Sequence, residues 1–312
     1  MDQAQQLRNI IKNTNTPQRP LARVITVTSG KGGVGKSNVA INLAVQFKKM
    51  GKRVIILDAD FGLANIEIMF GTIPKHNLSD LIYQGKNIKD IITWGPEGVG
   101  FISGGSGISG MYNLSRDYLV YIIVNLAELD AIADVIIIDT GAGISNAVME
   151  FLVASGEIIL VTTPEPTSIT DSYSLLKALN QSPRFSRDNT KVTVVSNKVS
   201  SSDEGQQLFN KLNAVVARYL KLPLTYLGSI PQDQMLSRSV MQQSPVSIQY
   251  PGAKSVKAFE SIAGTLMNPG QTTEVKPRGM AAFFSHIITG RKLSSSQSPP
   301  QQTGAPTGTT PV

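Results

Sequence analysis

The stretch that decides the fold is Ala22-Arg23-Val24-Ile25-Thr26-Val27-Thr28, followed by Ser29 and then Gly30-Lys31-Gly32-Gly33-Val34-Gly35-Lys36-Ser37. Apart from Arg23, the first seven residues are apolar or β-branched, as in a strand buried on both faces. The next eight satisfy G-x-x-x-x-G-K-[ST], and the amphipathic segment Asn38 to Met50 completes the strand-loop-helix context that the pattern requires. Glycines let the backbone fold around phosphate oxygens with its amides pointing inward, and the helix that follows adds its positive N-terminal dipole. Gly30 through Ser37 therefore read as a phosphate cradle, in which Lys36 reaches the β and γ phosphates and Ser37 ligates Mg²⁺.

Working outward, five more apolar runs recur: RVIILD at 53–58, DVIIID at 134–139, EIILVT at 157–162, KVTVVSN at 191–197 and PLTYLGSI at 223–230. Amphipathic stretches such as Ser115 to Asp130 and Asp203 to Leu220 lie between them. Repeated βαβ units predict an α/β fold, a doubly wound, mostly parallel sheet flanked by helices, over residues 21–268. Residues 1–20 read as a separate element: Asp2 caps a short helix with Leu7, Ile10 and Ile11 on one face, and NTNTPQRP breaks it. Residues 269–292 read as a linker and an amphipathic helix, with Met280, Phe283, Phe284, Ile287 and Ile288 spaced i, i+3, i+4, i+7, i+8. Residues 293–312 are low-complexity and are expected to be disordered.

Composition narrows the classes. The chain has 312 residues, 41% hydrophobic and 16% charged, and no cysteine. That excludes a disulfide framework, a thiolate metal site and a cysteine nucleophile. No apolar run approaches the roughly 18 to 20 residues that span a bilayer, and the start MDQAQQLRN is polar where a signal peptide is apolar, so a cytoplasmic protein is expected. The net charge of +7 is uneven: residues 1–23 net +3, residues 254–312 net +4, and the block between them is neutral. Basic ends on a neutral middle fit either an acidic partner surface or ends that are merely solvated.

Carboxylates complete the candidate site. Asp58 ends one strand, Asp60 follows it in ADFGLANI, and Asp139 ends VIIID before Thr140-Gly141-Ala142-Gly143. Three aspartates at the ligand edge of such a sheet favour a nucleotide and metal site over three helix caps.

Lys31 inside the loop, in the form KGGVGKS, resembles the deviant Walker A of the MinD/ParA class of P-loop ATPases, over essentially the whole 21–268 domain. The resemblance implies an ATP-dependent homodimer in which Lys31 reaches the partner's nucleotide and acts in trans, as an arginine finger does. It implies that Asp60 positions the attacking water, and that Asp58, through water, and Asp139 join Ser37 at Mg²⁺. It further implies that Glu165 and Asp171 in TPEPTSITD make dimer contacts. Asn197 and Lys198, with Pro231, Gln232 and Asp233 of the IPQD loop, would form an adenine pocket. Catalysis would rest on Lys31, Lys36 and Asp60.

Cysteine-dependent reductases of this class are excluded, and so are its tyrosine kinases, since no tyrosine follows Tyr250. Asp2-Gln3-Ala4 with Leu7-Arg8 is similar to the DQAxxLR element of the FlhG/FleN/YlxH flagellar-number regulators, and DTGAGI and the tail agree with it. That resemblance implies that residues 2–13 stimulate the flagellar SRP-type GTPase FlhF through Asp2, Gln3, Leu7 and Arg8. It also implies that the tail helix binds the inner face of the cytoplasmic membrane in the ATP state, with flagellar switch-ring components or a flagellar transcription regulator as further candidate partners. No sequence-specific nucleic acid is expected. The alternatives are a MinD-like division-site regulator and a ParA-like DNA-partitioning ATPase; the neutral core and amphipathic tail count against the latter. The linker QTTEVKPRG argues against permanent packing of the tail helix, although a nucleotide-free or ADP form could shelter it.

Overall fold

The computed structural model describes residues 21–60, 65–104, 123–268 and 279–294, the last with side chains as far as Ile287. The expected N-terminal helix with Asp2, Gln3, Leu7 and Arg8, the linker 269–278 and the chain beyond 294 lie outside the described residues, as does the first half of Ser115 to Asp130. Among the described residues eight strands form one sheet: β1 (Arg23–Ser29), β2 (Val54–Ala59), β3 (Thr93–Trp94), β4 (Gly100–Ile102), β5 (Val135–Ala142), β6 (Glu157–Thr162), β7 (Lys191–Val199) and β8 (Thr225–Pro231). Their order is β3-β4-β2-β5-β1-β6-β7-β8, and every pair is parallel except β3 with β4.

The six apolar runs of the sequence are six of these strands. The edge pair β3 and β4, two and three residues long, was not anticipated. Segments that short carry no readable periodicity.

Helices cover both faces, as continuous apolar strands require. On one face α1 (Lys36–Lys49) and α6 (Lys254–Met267) bury the side chains of Ile25, Val27, Ile56 and Ile137. The opposite face uses the alternate positions. There Ile136 and Ile138 pack with α3 (Asn146–Ala154), and Ile158, Leu160, Val192 and Val194 pack with α4 (Pro166–Gln181) and α5 (Ser202–Tyr219). The short α2 (Asn65–Phe70) follows β2 and inserts Ile66 and Phe70 into the first face.

The last helix, α7 (Gly279–Ser294), is docked on this body. Met280, Phe283, Phe284 and Ile287 are buried in the same cluster as Ala22, Leu126, Leu129, Phe151 and Ala154. The Phe151 ring lies 5.9 Å from Phe283 and 6.3 Å from Phe284, edge-on to the latter. The Met280 N–H donates to both oxygens of Asp130, at 3.0 and 3.2 Å, which caps the helix start. Arg184, paired with Glu150, donates to the His286 carbonyl at 2.6 Å. The apolar stripe is thus covered by the chain's own domain in this structure, as expected only for a sheltered form. An unpaired stripe in water loses the burial of four large side chains, and Phe151 with its neighbours offers the nearest apolar wall. Ile288 has no described side chain.

Candidate nucleotide site

The site gathers at the C-terminal ends of the central strands. Register brings Asp58 of β2 opposite Asp139 of β5, and Asp139 opposite Val27 of β1, whose chain then enters the glycine loop. This is the crevice in which open α/β sheets hold ligands.

The loop's backbone departs from ordinary torsions at two glycines, Gly33 (φ +76°) and Gly35 (φ +93°), a left-handed conformation that side chains disfavour. A Cβ at Gly30 would overlap the backbone of Asp171 and Ser172, so the loop begins pressed onto α4. Helix α1 starts at Lys36, one residue beyond Gly35, and buries the lysine stem.

The Lys36 ammonium donates to Asp139 Oδ1 at 2.7 Å, a pair 7% and 0% exposed, and sits 3.4 Å from Ser37 Oγ. Burial pushes the Asp139 carboxyl up, opposed by the Lys36 ammonium and by a hydrogen bond from Ser37. Its second oxygen, Oδ2, is buried with no hydrogen-bond partner. Asp58 accepts from the Asp60 and Ile66 N–H groups at 3.1 and 3.3 Å, yet burial, and then the neighbouring Asp139 charge, push it up to about 7. Asp60 is half-buried and accepts from Asn65 Nδ2 at 3.3 Å, with Gly141 of the second glycine segment against its Oδ1.

Two crowded carboxylates, one with an orphaned oxygen, facing one lysine form a cation-deficient corner. That fits Mg²⁺ held through few protein ligands and substrate phosphates, and among the described residues no cluster of three or more His, Cys, Asp or Glu builds an all-protein metal cage.

The remaining predicted residues fall into two groups. Lys31 lies across the loop from α4, donating to Glu165 Oε2 at 2.6 Å and Thr167 Oγ1 at 2.8 Å in its own chain. The Lys31 hydrogen bond holds the Glu165 carboxyl below its ordinary value. Asp171 backs the loop through its main chain. Asn197 and Lys198 sit at the end of β7 against Val34 and Gly33. Pro231 ends β8, and the Gln232 N–H donates to Val199 O. Asp233 is engaged elsewhere: Oδ1 accepts from Met235 N and caps the following helix, while Oδ2 accepts from the N–H and hydroxyl of Ser255. Thr167 and Asn65 were missed from the sequence, because hydroxyl and amide side chains outside a motif give no signal.

This arrangement, a glycine cradle with buried lysine and paired aspartates on a central parallel sheet, is that of a P-loop nucleotide-binding protein. The chain belongs to the CbiA family, the CobQ/CobB/MinD/ParA nucleotide binding domain, whose model matches residues 25–246. Within it the chain stands with the FleN, FlhG and YlxH regulators. It is 38% identical over 273 residues to the Antiactivator FleN of Pseudomonas aeruginosa, covering 86% of this chain and 95% of that protein. It is 32% identical over 294 residues to the Flagellum site-determining protein YlxH of Helicobacter pylori, covering 92% and 98%. The septum site-determining protein MinD of Pyrococcus horikoshii, solved with Mg-ADP, shares the fold at TM-score 0.62 and 23% identity, over 79% of this chain and 96% of that one.

Proposed function

We propose that the protein is an ATP-dependent, dimerising ATPase that regulates flagellar number and placement. The observation that carries the reading is the corner of Lys36, Asp139 and Asp58 beneath the glycine loop, with one buried carboxylate oxygen still unpartnered. Lys36 and the loop amides hold the phosphates of ATP. Ser37, Asp139 and Asp58 would hold Mg²⁺, which would neutralise charge developing on the phosphate oxygens. Asp60, steadied by Asn65, orients the attacking water. Lys31 rests on its own Glu165 and Thr167 and exchanges them for the nucleotide of a second copy on dimerisation.

The names of the relatives, an antiactivator and a flagellum site-determining protein, support a flagellar and regulatory role. A transcription regulator or a switch-ring component is the further partner of this reading. Residues 2–13 stimulate the flagellar SRP-type GTPase FlhF, and α7 binds the inner face of the cytoplasmic membrane once released. Among the described residues no helix is long and apolar enough to cross a membrane, which fits an in-plane mode for α7.

The test is Asp60→Ala. It leaves the cradle intact, so ATP binding and ATP-dependent dimerisation by sedimentation are retained while phosphate release is lost. Undiminished turnover in this variant overturns the reading. Deletion of residues 2–13 abolishes stimulation of the FlhF GTPase and leaves intrinsic ATPase in place; an unchanged stimulation removes that partner assignment.

A further inference from the structure

The end of the sheet away from the nucleotide carries a charge pattern of its own. There α4 finishes, the turn 182–190 leads into β7, and α5 finishes before β8. Asn180 Nδ2 donates to the Leu220 carbonyl at 3.2 Å, which ties the two helix ends together. Lys177, Arg187, Arg218 and Lys221 are exposed on this rim, and Lys191 is half-buried at the start of β7. Residues 177–191 and 214–221 hold six basic side chains against one acidic one, Asp188. Arg184 is taken by Glu150 and the His286 carbonyl, whereas among the described residues the other five pair with no carboxylate.

Helix ends attract cations because their last carbonyls carry partial negative charge, so one basic residue at each end is ordinary. Two features go beyond that. Lys221 holds φ +52° just past the Leu220 cap, the left-handed position that helix ends commonly give to glycine, so a lysine there costs stability. Arg218 lies over the Tyr219 ring at 5.3 Å, Tyr219 is 63% exposed, and Val215, one turn back, is exposed as well.

Cations without partners beside an exposed aromatic ring and an apolar side chain match the surface of a bilayer better than that of a nucleic acid. Anionic headgroups take the charges, and a tyrosine sits at headgroup level with its ring toward the acyl boundary. The rim also adjoins the helix assigned above to the membrane: Arg184, in the same turn, holds α7 at His286, and Arg291 and Lys292 follow that residue in the sequence. We infer that Lys177, Arg187, Lys191, Arg218 and Lys221, with Tyr219, form a surface for anionic phospholipid headgroups, separate from the apolar stripe of α7 and exposed while that stripe is covered. The rim draws the protein to a negatively charged bilayer, and the stripe then supplies insertion. One amphipathic helix holds reversibly, so a basic surface strengthens it as a basic cluster strengthens a single lipid anchor. This deepens the membrane part of the proposed function and rests on it.

The experiment floats the full-length chain, with ATP and Mg²⁺, on phosphatidylcholine vesicles with and without phosphatidylglycerol, alongside ATP turnover and thermal unfolding. The triple variant Lys177→Gln, Arg187→Gln, Lys221→Gln is expected to bind the phosphatidylglycerol vesicles about a hundredfold more weakly at low salt, at roughly fivefold per charge, and to bind phosphatidylcholine as the parent does. Turnover stays unchanged, because the rim lies at the opposite end of the parallel strands from the glycine loop. Lys221→Gly relieves the torsion and therefore melts no lower than the parent, yet loses about fivefold on the anionic vesicles, while Lys221→Arg keeps the charge and the binding. Anionic binding equal to the parent's in every variant overturns the inference. So does an equal loss on both vesicle types, since the variants then act through α7. If the triple variant floats as before but loses affinity for duplex DNA, the rim is a nucleic-acid surface and the inference falls. Should the triple variant not fold, the Lys221 pair decides by the same criteria. A parent that floats with neither vesicle removes the membrane reading and this inference together, an outcome distinct from a parent and variants that float alike.

Discussion

The phosphate-loop edge and the groove under α7 are finished to different degrees. At the loop, buried charge is left incomplete: Asp139 Oδ2 has no partner, and Asp58 is pushed up to about 7 by burial and by Asp139. Under α7 the apolar stripe is covered, the helix start is capped by Asp130, and Arg184 holds the His286 carbonyl. The first region asks for a charged ligand. The second is satisfied by the chain itself, and on the proposed reading its release to a membrane exchanges one apolar surface for another, so that chiefly the capping bonds and close packing oppose it.

The largest effect expected on this contrast is at Lys36. Lys36→Met leaves Asp139 buried without its cation, which should lower stability by about 3 kcal/mol in urea unfolding and abolish ATP binding. The pair Lys36→Met with Asp139→Asn should regain most of that stability and none of the ATP binding. A single variant as stable as the parent would mean that the buried pair does not organise the loop edge.

Next in size is Phe284→Ala, which removes a ring buried against Phe151 and should weaken docking by up to about 3 kcal/mol. The loss should be local: faster amide exchange and protease cutting in residues 279–287, with ATP affinity unmoved. Global unfolding instead would make α7 part of the core proper.

Asp130 offers a finer test. Asp130→Ala should loosen α7 by about 1 kcal/mol through the lost cap. Asp130→Asn should cost less, because it keeps an acceptor and sheds a charge that burial disfavours. Burial raises this carboxyl above its ordinary value, against hydrogen bonds from Met280, Ala22 and Ala281. Its contribution to docking is therefore full below the unfolded-state pKa and is lost as pH rises through the folded one. Exchange in α7 should accelerate as pH climbs out of the ordinary carboxylate range, beyond the intrinsic pH trend, in the parent and not in Asp130→Asn. Equal slopes would remove Asp130 from the docking balance.

The smallest effect belongs to Lys31 and Glu165, an exposed pair screened by water. Glu165→Gln should leave the unfolding midpoint unchanged, and a clear drop would show the pair to be structural.

Much of the fold was legible because it is local. Runs such as VIIID and EIILVT announce strands buried on both faces, and the eight residues from Gly30 to Ser37 carry their own backbone instructions in glycine spacing. The stripe of α7 was equally plain from its helical period, but periodicity states only that one face must be covered, and it cannot choose between membrane and groove. The edge strands β3 and β4 were illegible for lack of length.

By itself, then, the sequence determined the βαβ order, the phosphate cradle and the amphipathic tail, since each depends on residues within a few positions of one another. Tertiary structure decided which distant groups meet: Lys36 with Asp139, Lys31 with Glu165 and Thr167, Asn197 and Lys198 with the loop carbonyls, and Phe151 with the tail. Those pairs are set by strand order and register, which bring together residues more than a hundred positions apart, and no spacing along the chain encodes them.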